Sequence, residues 1–296
     1  MEFEERSPLL VKWPDDDAEL NNNYESVALK MLRELEVPDS FRGSVPSVVG
    51  SYDDGKMLAL EVLDPATSLR DLLSLSGRLP HVVTSELATC LAILHSADAT
   101  HIRARYPEWD LMLPVPTSCH LSLEEYSWGC GLDFEAYLKV MQRLEPAFVD
   151  FHKAWTHQSL IHFDLRDDNI LFRLGETTDC RIIDWELAGF GDPLYDVGYV
   201  VAYLLLPMIR AQAAGSGSRS ATVSSRDNSM DLICAYTAEA ALEPENKNRI
   251  IAYAGLALVV HASMRLQQLG ALGKIGHLCL LIGERLICKP EKSGLT

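Results

Sequence analysis

The chain has 296 residues, enough for one large domain or two smaller lobes with substantial cores. Its 48% apolar and 23% charged residues are ordinary globular values and exclude a disordered or fibrous chain. A formal charge of −16 excludes the sequence-independent grip on phosphates used by nucleic-acid binders; it fits cationic small molecules, a basic partner surface or simple solubility.

Pro8 to Trp13 (PLLVKW) reads as a short strand, followed by an acidic turn at Asp15 to Asp17. A helix is predicted over Tyr24 to Leu35, where Tyr24, Ala28, Met31, Leu32 and Leu35 share one face, and Pro38 stops it. Two strands, Ser47 to Tyr52 and Met57 to Leu63, flank the hairpin signal Asp53-Asp54-Gly55. Residues 1–63 are therefore expected to form a small sheet with one helix on it. From residue 64 to 296 the pattern is mainly helical. Leu87, Leu91 and Leu94 predict a helix over Thr84 to Ala97, and another fits Asp133 to Thr156. Between them Asp98 to Gly131 is irregular. Two short β-like runs, Ile170 to Phe172 and Arg181 to Asp184, flank a turn at Gly175. Ala211 to Ser229, rich in Ser, Ala and Gly, reads as a flexible loop, and Met230 to Cys288 as helical. Apolar runs such as Tyr199 to Met208 are too short to span a bilayer. Seven scattered cysteines without a CxxC pair, and a start without a basic or apolar leader, lead us to expect a reduced, cytoplasmic protein with no membrane segment.

The densest chemistry lies in residues 161–198. Phosphoryl transfer needs a carboxylate to orient the attacking hydroxyl, oxygen ligands for Mg²⁺ and positive charge beside the leaving phosphate. In the order H-x-D-x-x-x-x-N, Asp164 can serve as base and Asn169 as metal ligand, and Asp184, fifteen residues after Asn169, can supply the hard oxygen that Mg²⁺ prefers. The same residues could be turn formers, since Asp and Asn favour turns. Lys12 could be an exposed strand lysine. Glu25 could complete a capping box with Asn22. Arg166 could be a surface cation paired with Asp167 or Asp168.

This segment resembles the catalytic and metal loops of the protein-kinase-like fold, most closely the aminoglycoside phosphotransferase and choline kinase branch. Ile183 to Asp196 reads IDWELAGFGDPLYD, close to that branch's pattern, and Glu86 to His95 (ELATCLAILH) resembles its early large-lobe helix. The resemblance covers residues 8–200. It implies an α+β, bilobal fold: a small N-terminal nucleotide-binding lobe (1–63) and a large helical C-terminal lobe (64–296). It implies Asp164 as base, Asn169 and Asp184 as Mg²⁺ ligands, and Lys12, paired with Glu25, on the phosphates of ATP or GTP. Glu61 and Val62, in the Leu60-Glu61-Val62 backbone, would meet the adenine edge. His162, Asp192 and Asp196 would brace the loops.

The chain departs from that pattern in two places. Only eleven residues precede Lys12, and none is glycine, so the usual glycine-rich loop cannot be built there. A start further upstream, a partner protein completing the nucleotide site, or an open and weak site would each account for this. Arg166 stands two residues after the base, where kinases acting on Ser and Thr carry a lysine that steadies the transferred group. The leading expectation is a kinase acting on a small hydroxylated, aminoglycoside- or choline-like acceptor. Trp109, Glu124, Glu125, Tyr126 and Trp128 are candidate walls for it. The alternatives are a partner-dependent kinase of peptide Ser or Thr, and a pseudokinase binding module.

Overall fold

The computed structural model describes residues 8–12, 21–52, 57–116, 131–216 and 218–295. Trp13, the acidic turn at 15–17, the hairpin turn at 53–55 and residues 124–128 lie outside them.

The N-terminal region holds β1 (Leu9–Lys12), α1 (Asn21–Glu34), a short α2 (Asp39–Arg42), β2 (Val48–Tyr52) and β3 (Met57–Glu61). The strands form an antiparallel sheet in the order β1-β3-β2, with Leu10 opposite Leu60 and Lys12 opposite Leu58. Ala28, Met31, Leu32 and Leu35 bury into the same core as Leu58 and Leu60. Tyr24 does not share that face. It is 46% exposed and meets Trp109 edge to face, with ring centroids 5.4 Å apart. β1 is an edge strand, and Leu9, Leu10 and Val11 are each about half exposed.

Beyond residue 64 come β4 (Thr67–Ser68), α3 (Leu69–Ser76), α4 (His81–Ser96), α5 (Thr100–Arg105) and α6 (Gly131–Ala154). Ser68 caps α3 by accepting the Asp71 N–H. Leu87, Leu91 and Leu94 of α4 are buried, as their spacing requires. The Asp98 to Gly131 stretch is more regular than expected, since it contains α5 and a 3₁₀ turn at Pro107–Trp109. Four short strands follow: β5 (Ser159–Ile161), β6 (Ile170–Leu174), β7 (Thr178–Ile182) and β8 (Gly189–Gly191). β6 and β7 form a hairpin that also pairs with β4, while β5 pairs with β8.

The helical remainder consists of α7 (Pro193–Ala213), α8 (Arg219–Glu239), α9 (Glu245–Leu269) and α10 (Gly273–Cys288). The loop expected over Ala211 to Ser229 is therefore mostly helix. Ser218 caps α8 by accepting the Ala221 N–H, and Ser225, Asn228 and Ser229 are buried. Asn228 accepts the Leu79 N–H at 3.0 Å and donates to the Gly77 carbonyl at 2.8 Å. The small polar residues that look like a loop are those that let α8 approach the backbone of this turn. A second correction concerns α7, which extends beyond the apolar run Tyr199 to Met208. Both α7 and α9 are long and apolar enough to cross a bilayer, but 72% of each apolar window is buried inside the protein.

α9 and α10 cross with their backbones in contact. A Cβ on Gly255 would stand 2.7 Å from the Gly283 carbonyl and 2.9 Å from Leu286 and Ile287. Gly255→Val is expected to cost about 2–3 kcal/mol through overpacking. Thermal melting checks this: a drop of roughly 5–10 °C is expected, and an unchanged midpoint would show that the helices can part freely.

Candidate active site

β5 brings the chain to His162, and residues 162–169 return it to β6. β8 lies close against β5 because Gly191 has no side chain; a Cβ there would stand 2.5 Å from Ile161. After β8, Asp192 caps α7 by accepting the Leu194 N–H at 3.1 Å, with Pro193 at the first helical position, where no donor is needed. Asp192 also holds Arg249 and accepts from Tyr253 Oη at 2.9 Å.

One turn further along α7, Asp196 is fully buried and faces back to the loop. Its carboxylate accepts the His162 N–H at 2.8 Å and the Phe163 N–H at 2.9 Å, and lies 3.3 Å from His95 Nε2. Phe163 adopts left-handed backbone (φ 71°), a costly conformation that these bonds sustain. His162 accepts the Asp164 N–H at Nδ1 and donates from Nε2 to the Ile183 carbonyl at 2.9 Å. Burial lowers its pKa, so it is a neutral, structural imidazole.

The loop presents Asp164. Tyr199 donates to its Oδ1 at 3.0 Å, and Arg166 Nε lies 3.0 Å from its Oδ2. Burial pushes the carboxyl upward from its ordinary pKa, opposed by the charge of Arg166 and the Tyr199 hydroxyl. Asn169 donates from Nδ2 to the Asp164 carbonyl at 2.9 Å, which leaves its Oδ1 without a hydrogen bond among the described residues.

Lys12 and Asp184 stand opposite. Lys12 Nζ is 2.7 Å from Glu25 Oε2 and 2.7 Å from Asp184 Oδ1. Burial alone would lower the lysine's pKa, but the two carboxylates outweigh it and the net shift is upward. Lys12 is therefore no free surface cation. Glu25 is no capping-box residue either: α1 starts at Asn21, and the buried Glu25 carboxylate meets Lys12 and the Trp185 N–H. Asp184 lies past the end of β7, in left-handed backbone at φ 69°, where the expectation placed it in the strand. The Ile183 N–H already bonds the Asn169 carbonyl, and the chain reverses immediately afterwards into a 3₁₀ turn beginning at Trp185.

Arg166 occupies the space between carboxylates, with Asp168 and Asp184 each 3.7 Å away in addition to Asp164. The surface pairing with Asp167 does not form, because Arg70 holds Asp167 and Asp168 at 2.8 and 3.0 Å.

Glu61 ends β3 and Val62 follows it, both with their backbone donors occupied. The Glu61 N–H bonds the Ser47 carbonyl at 2.9 Å and the Val62 N–H bonds the Pro8 carbonyl at 3.0 Å. Trp109 packs on Tyr24 and its carbonyl lies against Gly189, so it supports β8. The sequence reading missed Tyr199, Arg70 and the Arg249 contact to Asp192. Tyr199 had a signal: it follows Asp196 by three residues on one helix, so both face the loop.

Among the described residues, no three His, Cys, Asp or Glu side chains gather as a metal cluster. Mg²⁺ bound with a nucleotide needs fewer, since phosphates and waters fill its octahedron beside one or two protein oxygens. Asn169 Oδ1 and Asp184 Oδ2 fit that donor set, and the cation Arg166 already stands among these carboxylates.

The chain matches known proteins in sequence family and in fold. A family model described as "Phosphotransferase enzyme family" matches residues 6–220. A choline/ethanolamine kinase family protein from Mesorhizobium loti is similar in structure, with a TM-score of 0.59 and 16% identity, covering 97% of this chain and 85% of that one. An ethanolamine kinase from Plasmodium vivax matches with a TM-score of 0.57 and 12% identity, covering 99% and 78%. These likenesses show a protein-kinase-like fold with a small sheet region and a mainly helical large part. A segment of 50 residues is 40% identical to acyl-CoA dehydrogenase family member 11 from Gallus gallus, spanning 17% of this chain and 6% of that protein.

Proposed function

The chain belongs to the phosphotransferase enzyme family, and from that premise we propose that it transfers the γ-phosphoryl group of Mg-bound ATP or GTP to a hydroxyl of a small molecule. The observation that carries this reading is the convergence of Lys12, Glu25 and Asp184 opposite Asp164 and Asn169, with Lys12 ion-paired to the nearby Glu25 and, across 172 residues of chain, to Asp184.

Asp164 accepts the acceptor's hydroxyl proton as that oxygen attacks the γ-phosphorus. The bond from phosphorus to the β–γ bridging oxygen breaks, and the nucleoside diphosphate leaves. Tyr199 fixes one oxygen of Asp164 so that the other faces the acceptor. Asn169 and Asp184 would hold Mg²⁺, which when bound neutralises charge on the β- and γ-phosphates. Lys12, oriented by Glu25, pairs with the phosphates. Arg166 moves from the carboxylates onto the transferring group, where a cation offsets developing charge. The base of the nucleotide lies against Leu60 to Val62, where using the Val62 N–H requires displacing Pro8.

Thermal melting with and without Mg-ATP and Mg-GTP tests this. A nucleotide at a hundredfold excess over its dissociation constant stabilises the native chain by about 2.7 kcal/mol. Asp184→Ala should remove most of the Mg-dependent shift. A wild-type chain that neither shifts nor transfers phosphate in isolation would refute the reading for the chain alone. The exposed edge of β1 favours a second version, in which a partner adds backbone to that edge and completes the nucleotide site. Nucleotide stabilisation appearing only with a partner present would select it.

A further inference from the structure

Two arginines, on α7 and α9, stand apart from the ion pairs of the rest of the molecule. Of the described arginines, only Arg210, Arg219 and Arg265 lack a carboxylate or carbonyl partner; every other one has such a partner, from Arg33 on Val48 to Arg285 on Lys292. Arg219 begins α8, whereas Arg210 and Arg265 belong to one cluster. The Nε of Arg265 is buried with no hydrogen-bond partner. Both guanidiniums act on His261: its pKa is lowered by burial first, then by Arg265 and Arg210.

The packing of α7 on α9 sets this up. Gly198 lies against Tyr253, and Tyr203 meets His261 at 6.4 Å between ring centroids, so the two helices run side by side in the same direction. Residues four and seven apart share a helix face, which aligns Tyr199, Tyr203 and Arg210 on α7 and His261 with Arg265 on α9. The near end of this row touches the base, since Tyr199 donates to Asp164 and its ring lies 5.4 Å from Tyr203. From Tyr199 to Arg210 the helix rises about 16 Å. Long arginine side chains shorten that span, so the base and the cationic cluster stand roughly 10 Å or more apart. Asp167 is the carboxylate that acts on His261, and Arg70 already holds it.

Resting on the proposed phosphotransfer, we infer that Arg210, Arg265 and His261 form the specificity end of the acceptor site. They bind an anionic group, carboxylate or phosphate, at the far end of an extended hydroxylated acceptor. Tyr199 and Tyr203 line the path to Asp164. The acceptor is therefore anionic, contrary to the cation suggested by the net charge and by the resemblance. The buried, unsatisfied Nε of Arg265 is costly unless an anion supplies the missing acceptor, and the exposed Arg210 adds a second positive charge at the same end.

Binding decides this without needing turnover. Titration calorimetry would compare ω-hydroxyoctanoate, ω-hydroxyoctyl phosphate, ω-hydroxyoctanamide and ω-hydroxyoctyl trimethylammonium on the full chain. At least one anionic probe should bind about tenfold or more tighter than the amide, and the ammonium weakest. The ratio of carboxylate to phosphate affinity tells the two anion chemistries apart. In the Arg210→Ala/Arg265→Gln double variant the preference should vanish, while the Mg-nucleotide melting shift stays at the wild-type value. The single variant Arg210→Ala, at an exposed position, should lower the preference several-fold without risk to folding. Equal binding of amide and anion, tighter binding of the ammonium, no binding of any probe, or a preference surviving both substitutions would overturn the inference. Loss of the nucleotide shift in wild type, with anion preference intact, would instead overturn the phosphotransfer reading.

Discussion

Asp164→Asn is expected to lower phosphoryl transfer by about 10²–10⁴-fold while leaving nucleotide-induced stabilisation unchanged. The amide keeps the shape and can still meet Tyr199, Arg166 and the side-chain Nδ2 of Asn169, so the loop should hold its form. What it cannot do is accept the acceptor's proton. Burial raises the carboxyl's pKa, so the wild type should also show an acid limb in kcat/KM lying above the ordinary aspartate range. The sign follows from the role: the base works ionised, and activity falls as pH drops through the raised pKa. Measured kcat at saturating nucleotide and acceptor, wild type against variant, checks the first part, and the pH profile the second. Full activity in Asp164→Asn would move the base elsewhere.

Asp196→Ala should be the most damaging single change to the site at a residue that touches neither nucleotide nor acceptor. Asp196 is fully buried and accepts the N–H groups of His162 and Phe163, with His95 at 3.3 Å. Removing the carboxylate orphans two backbone donors, at about 1–3 kcal/mol each. It also releases Phe163 from left-handed backbone next to Asp164. A loss of melting temperature on the order of 10 °C is expected, together with a fall in kcat. Asp196→Asn, which keeps one acceptor oxygen, should be milder in both. If Asp196→Ala melted like the wild type, the loop would be held by something other than this carboxylate.

Where a reading depended on residues near each other along the chain, it was largely visible in advance. Loop 162–169 could be recognised because Asp164 and Asn169 sit on one tight loop between β5 and β6. The helical positions of α4 follow from leucines at turn spacing. Locally ambiguous segments misled. Ser225, Asn228 and Ser229 look like loop residues until α4 and the turn at 77–79 surround them, and Tyr24 looks like a core residue until Trp109 covers it from outside. Asp184 could be placed near a strand end, but not in left-handed backbone, because the reversal depends on Asn169 and Trp185.

The sequence by itself pointed to the phosphotransferase family, the α+β class and a small sheet region ahead of a mainly helical part. Each of those is encoded in spacings within a few turns of chain. Only the tertiary structure decided which distant groups meet: Lys12 with Asp184, Arg70 with Asp167, and Tyr199 with Asp164. Coulomb and hydrogen-bond energies act over a few ångströms of space, whatever the separation along the chain. Until the helices pack, nothing in an acidic sequence of net charge −16 reveals that Arg265 and Arg210 stay without carboxylate partners while Lys12 and Arg70 find theirs.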